Sequence, residues 1–330
     1  MGFGAAGAAQ LLGCRVAPAR AAAPPPPPTS SSANVAVEPV PTAESVPPPA
    51  PVAEEPPKPP PPDPSLKLPA REKGALTGSQ FLAVAKSKKL GREGFDNAVL
   101  AEISTGNVPD FERKLLPITT QDAAGRTATF LVLADYLAVG TDDDFIRAPV
   151  TCAAAQTIAD LTKTMLPTRF LVDAIYRQAE AKLPPSYIDG GPTDDEIADF
   201  KEHHKKLEKA RKAKGFALGV LTGGDMKDLV LTNRLEEHPG KVAIYGWHNR
   251  DDSVIQSLST RHECRYADYS HGVRLIDRRV LVDGVEHDLA DLMRDPDLSG
   301  LVSDEGPLRV VAYAKNLPEY VAGTGKPKSK

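Results

Sequence analysis

What the chain lacks narrows the field first. Aromatic residues fill only 5% of its 330 positions, with a single tryptophan, which argues against a broad aromatic platform for carbohydrate. The formal net charge is −4 and no basic stripe stands out, so nucleic acid is not an expected partner. The one cationic run, "HHKKLEKARKAK" at 203–214, is interrupted by Leu and Glu at helical spacing and reads as a solvated helix face. No apolar run is long enough to remain in a bilayer as a spanning helix. Internal repeats are absent. Cysteine is scarce: Cys14 stands apart, and Cys152 and Cys264 leave room for either one disulfide or two buried thiols. The compact HxH and HExxH spacings that mark a metal site strongly do not occur.

Proline is what the chain has in excess. Of 32 prolines, 20 precede residue 71. Consecutive prolines lack backbone donors and favour polyproline II, and this stretch has too few large apolar side chains to offset its ordering entropy. Residues 24–70 are therefore expected to be a disordered, semi-rigid spacer. Ahead of it, "MGFGAAGAAQLLGCRVAPARA" is small and apolar. Its Leu11-Leu12-Gly13-Cys14 resembles the lipobox of bacterial lipoproteins, in which the cysteine becomes the lipidated first residue. The departure is that no Lys or Arg precedes the apolar run, and the run is short. Residues 1–23 are read as a signal and anchor, with Cys14 as the lipidation site. Residues 71–330 are long enough for a single globular domain with an ample core.

Within that domain, "GFDNAVLAEISTGNVPDF" reads as a helix with Phe95, Val99, Leu100 and Ile103 on one face. "RTATFLVLADYLAVG" reads as one or two strands, and "TDDDF" as a turn. Residues 151–166 and 168–183 read as helices. Thr193 and Glu196 form a capping box opening a charged helix over 194–213. Later segments look like strands: 227–235, 241–248, "GVRLID" and "LRVVAYAK". Asp283-Gly284 is a type I′ hairpin signal, and "DLADLMRD" reads as a short helix. The expected fold is α+β, with a helical N-terminal half packed on a mixed or antiparallel sheet formed mainly by the C-terminal half.

Polar groups suited to chemistry concentrate in the second half, at strand ends and in loops, where sites are usually built. His248 ends one expected strand beside Trp247, and Asp228 lies in another. His262 follows in a loop, and then comes "YADYSHGVRLI", with Tyr266, Asp268, Ser270, His271 and Arg274. A histidine base needs a carboxylate to orient it. His248 or His271 fits the base, and Asp228 or Asp268 the orienter. Ser270 or a water would be the nucleophile, and Arg274 would hold a substrate carboxylate. Adjacent residues on an extended chain point to opposite faces, so Ser270 pairs more easily with His248 than with His271. His248, His262 and His271 are also ligand types that zinc prefers, and zinc is the cofactor to consider if there is one. The aspartates 142–144 could bind calcium, although a solvated turn is the plainer reading.

"SHGVRLI" resembles the Ser-His-Gly-Cys-Ile-Arg signature of L,D-transpeptidases, and an upstream strand histidine such as His248 also fits that family. The nucleophilic cysteine is missing, because Val273 follows Gly272 directly, so transpeptidase activity is not implied. A longer resemblance, over about residues 95–276, is to a family of uncharacterised secreted bacterial proteins. It is carried by "DYLAVGTDDDF", "LPTRFLVDAIY", "KDLVLTNRL", "KVAIYGWH" and "YADYSHGVRLI", and it implies export and a common fold. Together these readings lead to an exported, membrane-anchored or periplasmic protein held by a lipid, within reach of cell-wall or extracellular polymer. The expected activity is hydrolysis or acyl transfer on cell-wall peptide or a related polymer. The alternative is a non-catalytic envelope binding or structural lipoprotein.

Overall fold

A six-stranded antiparallel sheet and a four-stranded mixed sheet organise the described residues, 64–313, of the computed structural model. The expected signal and anchor at 1–23, Cys14, and the spacer as far as residue 63 lie outside the described residues. Residues 64–70, read as the end of the spacer, are described: Leu66 is buried and its amide donates to the Arg113 carbonyl.

Helix α1 (Gly78–Ser87) opens on Thr77, whose side chain accepts from the Gln80 amide while Gln80 reaches back. Helix α2 (Arg92–Ser104) buries the face read from the sequence, Phe95, Val99, Leu100 and Ile103. Each such side chain contributes roughly 1.5–3 kcal/mol of burial. Gly106 then leaves the helix with φ of 77°. The single turn α3 (Asp110–Arg113) leads into the hairpin β1 (Leu116–Gln121) and β2 (Thr127–Val132). Strands β3 (Ala138–Gly140) and β4 (Phe145–Arg147) flank the acidic turn. Then follow α4 (Cys152–Thr162), β5 (Thr164–Met165), α5 (Arg169–Gln178), β6 (Ala181–Lys182), α6 (Glu196–Ala213) and β7 (Thr222–Gly223). The remainder is β8 (Lys227–Leu229), α7 (Arg234–Glu237), β9 (Ile244–His248), β10 (Val254–Ser259), β11 (His271–Gly272), β12 (Ile276–Asp277), β13 (Arg279–Val282), β14 (Val285–Asp288) and α8 (Leu289–Arg294).

The expected arrangement of a helical N-terminal half on a C-terminal sheet is overturned. The larger sheet runs β14-β13-β2-β12-β5, with β1 also on β2, so three of its strands come from residues 116–165. Strand β2 is its hub: one edge pairs with β1, and the other is shared by β12 and β13. Strands and helices are interleaved throughout the described residues. The strand β1, absent from the sequence reading, has the alternating burial of a half-buried strand at Ile118 and Thr120. Its partner is fixed by tertiary pairing, which composition does not announce.

Smaller corrections follow the same logic. Asp195, not Thr193, caps α6 by accepting from the Ala198 amide, and the Thr193 hydroxyl donates to Asp199 instead. The expected strand 227–235 ends at Leu229, because the Leu231 amide turns away to the Pro167 carbonyl. "LRVVAYAK" forms no strand over its described part, to Tyr313, whose hydroxyl donates to the Val230 carbonyl. Asp283 and Gly284 do take the two positive φ values that a type I′ turn needs, 48° and 86°. Cys152 and Cys264 are joined in a disulfide, Cα atoms 5.3 Å apart, tying the start of α4 to the loop before β11.

Candidate functional site

The four-stranded sheet, order β10-β9-β8-β11, carries Asp228, His248 and His271 in its strands; His262, Tyr266, Asp268 and Ser270 lie in the loop before β11, and Arg274 just after it. Strands β8 and β11 run parallel, with His271 beside Lys227 and Gly272 beside Asp228. Successive side chains alternate, so Lys227 and His271 share one face, and Asp228 and Gly272 the other.

On the Asp228 face, Gly272 makes room for Tyr136. A Cβ at 272 would meet Tyr136 Cδ1 at 2.4 Å. The Tyr136 hydroxyl donates to Asp228 Oδ2 at 2.9 Å, and the Arg274 guanidinium lies 4.2 Å from the Tyr136 ring centroid. Arg274 is fully buried and donates to the backbone carbonyls of Leu133 and Thr222. In this arrangement it is a fixed internal cation bound to backbone carbonyls, not the substrate-carboxylate clamp expected from the sequence. Burial pushes the Asp228 carboxyl up to about 6, against the opposing pull of Arg274 and Tyr136.

His248 reaches this same face by a backbone device. Gly246 and Trp247 both have positive φ, 110° and 58°. That twist lets Tyr245 and His248, three residues apart and on opposite sides of a regular strand, converge on Asp173 of α5. His248 Nε2 lies 3.0 Å from Asp173 Oδ1, and the Tyr245 hydroxyl donates to both Asp173 oxygens. The imidazole stacks on Tyr176, with ring centroids 4.1 Å apart and planes 13° from parallel. A Cβ at Gly246 would sit 3.5 Å from Asp228 Oδ2 and 3.6 Å from His248 Cε1, so the glycine leaves a hollow between acid and imidazole. Tyr136, Tyr176, Asp228, His248 and Arg274 line a narrow crevice there, too tight in this conformation for a water-sized sphere.

The other face gathers the rest. Ser270 donates its hydroxyl and its amide to Asp268 Oδ1, at 2.5 and 2.8 Å, and the Tyr266 hydroxyl donates to Asp268 Oδ2 at 3.0 Å. The structure therefore does not bring Ser270 to His248; its hydroxyl is engaged by Asp268. Tyr266 stacks on His262 at 4.2 Å and meets His271 edge-on at 5.5 Å. His271 is fully buried, neither ring nitrogen has a partner, and burial lowers it to about 4. Burial works to raise Asp268, but His271, Lys227 and the Ser270 hydrogen bonds outweigh it, and its carboxyl falls to about 2. Since His271 is uncharged near neutral pH, Lys227 (3.7 Å away) and Ser270 are the partners that keep Asp268 ionised there.

The zinc set His248, His262 and His271 is divided between these surroundings. Among the described residues no group of three or more His, Cys, Asp or Glu is arranged to hold a metal. In the acidic turn, Asp144 accepts from the Ser79 amide and hydroxyl at the start of α1, and Asp142 accepts from the Phe111 amide.

Asp173, Tyr136 and Tyr176 were not singled out from the sequence. The available signal was a carboxylate placed among the apolar residues of "FLVDAIY", where Leu171, Val172, Ala174 and Ile175 are all buried. No family model, curated protein or solved structure matches the chain. The resemblances read from its motifs thus rest on those motifs alone.

Proposed function

We propose that the protein is an exported hydrolase or acyl-transfer enzyme acting on cell-wall peptide or a related polymer, with the Asp173–His248–Asp228 crevice as its catalytic site. The observation that carries this reading is the 3.0 Å contact between Asp173 and a buried, ring-stacked His248, across a hollow from a carboxyl raised to about 6. With Nε2–H donating to Asp173, Nδ1 holds the lone pair that accepts a proton. Water loses that proton to Nδ1 as its oxygen attacks the acyl carbon, and Asp228, which holds a proton below about pH 6, gives it to the leaving group as the bond from the acyl carbon breaks. Water takes the place of Ser270 as nucleophile, and bridged Cys264 cannot serve. The crevice has to widen to admit water and substrate, and the bond from the Tyr176 hydroxyl to the Asn249 carbonyl is one contact of its lining that would move.

The disulfide supports an oxidising compartment. Export and lipid attachment at Cys14 belong to the same proposal. The test is release of new amino or carboxyl ends from purified cell-wall peptides by the wild-type chain and by Asp228→Asn. Loss of the general acid is expected to slow turnover by about 10²–10⁴-fold. Equal rates would remove Asp228 from the chemistry.

The alternative, a non-catalytic envelope binding protein, is favoured by one feature. Tyr187 is 53% exposed against Trp247, and Tyr266 is 38% exposed, on the face away from the crevice. Retained wall association without turnover in either protein would select that reading.

A further inference from the structure

A groove between α1 and α6 lies outside the crevice. It comprises two adjoining cavities of about 450 and 350 Å³ that share Ser79, Leu82, Lys201 and Lys205. Its floor is apolar, formed by Leu82, Ile146 and Ile197. One wall is α6, which carries the cationic run 203–214 read from the sequence as merely solvated and, ahead of it, Lys201. Lys201, Lys205 and Lys212 line it, all exposed, and Lys201 and Lys212 make no ion pair among the described residues. Glu208 on the same wall is already engaged by Arg147 and Arg211, and the exposed edge of the wall also holds Glu202, 3.9 Å from Lys205. The acidic turn contributes the exposed Asp142 and Asp143; Asp144 is occupied by Ser79, and Asp142 Oδ1 accepts from the Phe111 amide, leaving its second oxygen to the groove.

We infer that this groove binds an extended acidic peptide with a free amino group, carboxylates along the α6 lysines and the amine at Asp142 and Asp143. Lys201 and Lys205 are one turn apart, about 6 Å along the axis. Alternate residues of an extended peptide point the same way and repeat at about 6.6–6.8 Å, which matches that spacing. From Lys201 to Lys212 the helix rises about 16 Å, the length of roughly five extended residues. A uniform polyanion would meet Asp142 and Asp143 unfavourably, so the chemistry selects a dipolar ligand over nucleic acid. The apolar floor takes the side chains between the carboxylates.

The site does not rest on the hydrolase reading, because it is tested by binding alone. The probe is a dye-labelled peptide about five residues long, free at its amino terminus, with glutamate at alternate positions. Fluorescence anisotropy with the full chain should give saturable binding that weakens as salt is raised. K201E/K205E, at two exposed positions, should weaken it at least about tenfold, the scale of like-charge juxtaposition, with an unchanged thermal melt. Acetylating the probe's amine should weaken binding to wild type but not to D142N/D143N. Absence of saturable binding at low salt, equal binding by K201E/K205E, or indifference of wild type to acetylation would each overturn the assignment.

Discussion

Asp228 shows how a single residue ties the crevice to the stability of the fold. Its folded carboxyl titrates near 6, above its ordinary 3.8, because burial penalises the charge. Between those values the folded protein holds a proton that the unfolded chain has released. Its contribution is therefore fully present below about pH 4 and is lost as pH rises through about 6, by roughly 3 kcal/mol. Urea unfolding of wild type and Asp228→Asn across pH 4–7 should show that difference, and parallel curves would count against it. His271 works with the opposite sign. The unfolded histidine takes up its proton near 6.5 and the folded one only near 4, so its contribution is complete above that window and lost on acidification. At this scale the sequence was informative about types and poor about partners. His248 and Asp228 stood out as candidates, but Asp173 is 75 residues before His248 on a helix, and only the packing of α5 on β9 brings them together.

Among the elements, the short parallel pair β8 and β11 divides "SHG" into three jobs. Ser270 closes the loop through Asp268, His271 faces Lys227, and Gly272 yields space to Tyr136. Gly272→Ala would drive a methyl group to within 2.4 Å of the Tyr136 ring and displace its hydroxyl from Asp228. Overpacking of this kind costs about 1–3 kcal/mol. Differential scanning calorimetry should find a lower Tm for Gly272→Ala, and an unchanged Tm would mean that Tyr136 yields without cost. Long periodic helices were legible because their apolar faces repeat in sequence: α2 and α5 fall on the segments read as helical, although the segment 168–183 ends its helix at Gln178 and gives Ala181–Lys182 to β6. Strands of two or three residues, such as β5, β8 and β11, have too little sequence to show a period, and their register is set by neighbours far along the chain.

For the whole molecule, the interleaving of strands and helices makes contacts between distant segments decisive, and the disulfide adds a covalent one across 112 residues. Replacing Cys152 and Cys264 by alanine together should lower stability by about 2–5 kcal/mol. Reductant should have the same effect on the wild-type melt and none on the double variant, whose insensitivity separates loss of the bridge from a packing defect. The sequence offered the bridge and two free thiols as equal choices, since spacing alone cannot say which cysteines meet. It put the start of the folded part at residue 71, whereas Leu66 is already anchored by pairing with Arg113, a contact that local pattern does not announce.

His248, held by Asp173, is proposed as the base of an acid–base site, and His271 on the opposite face is not. The decisive measurement is kcat/KM of His248→Ala and His271→Ala on the same cell-wall peptide that wild type cleaves, each variant shown to be folded by its thermal melt. A loss of about 10²–10⁴-fold in His248→Ala, with His271→Ala retaining most of the wild-type rate, is the predicted result. Turnover preserved in His248→Ala but abolished in a folded His271→Ala would contradict it and move the chemistry to the Asp268–Ser270 face.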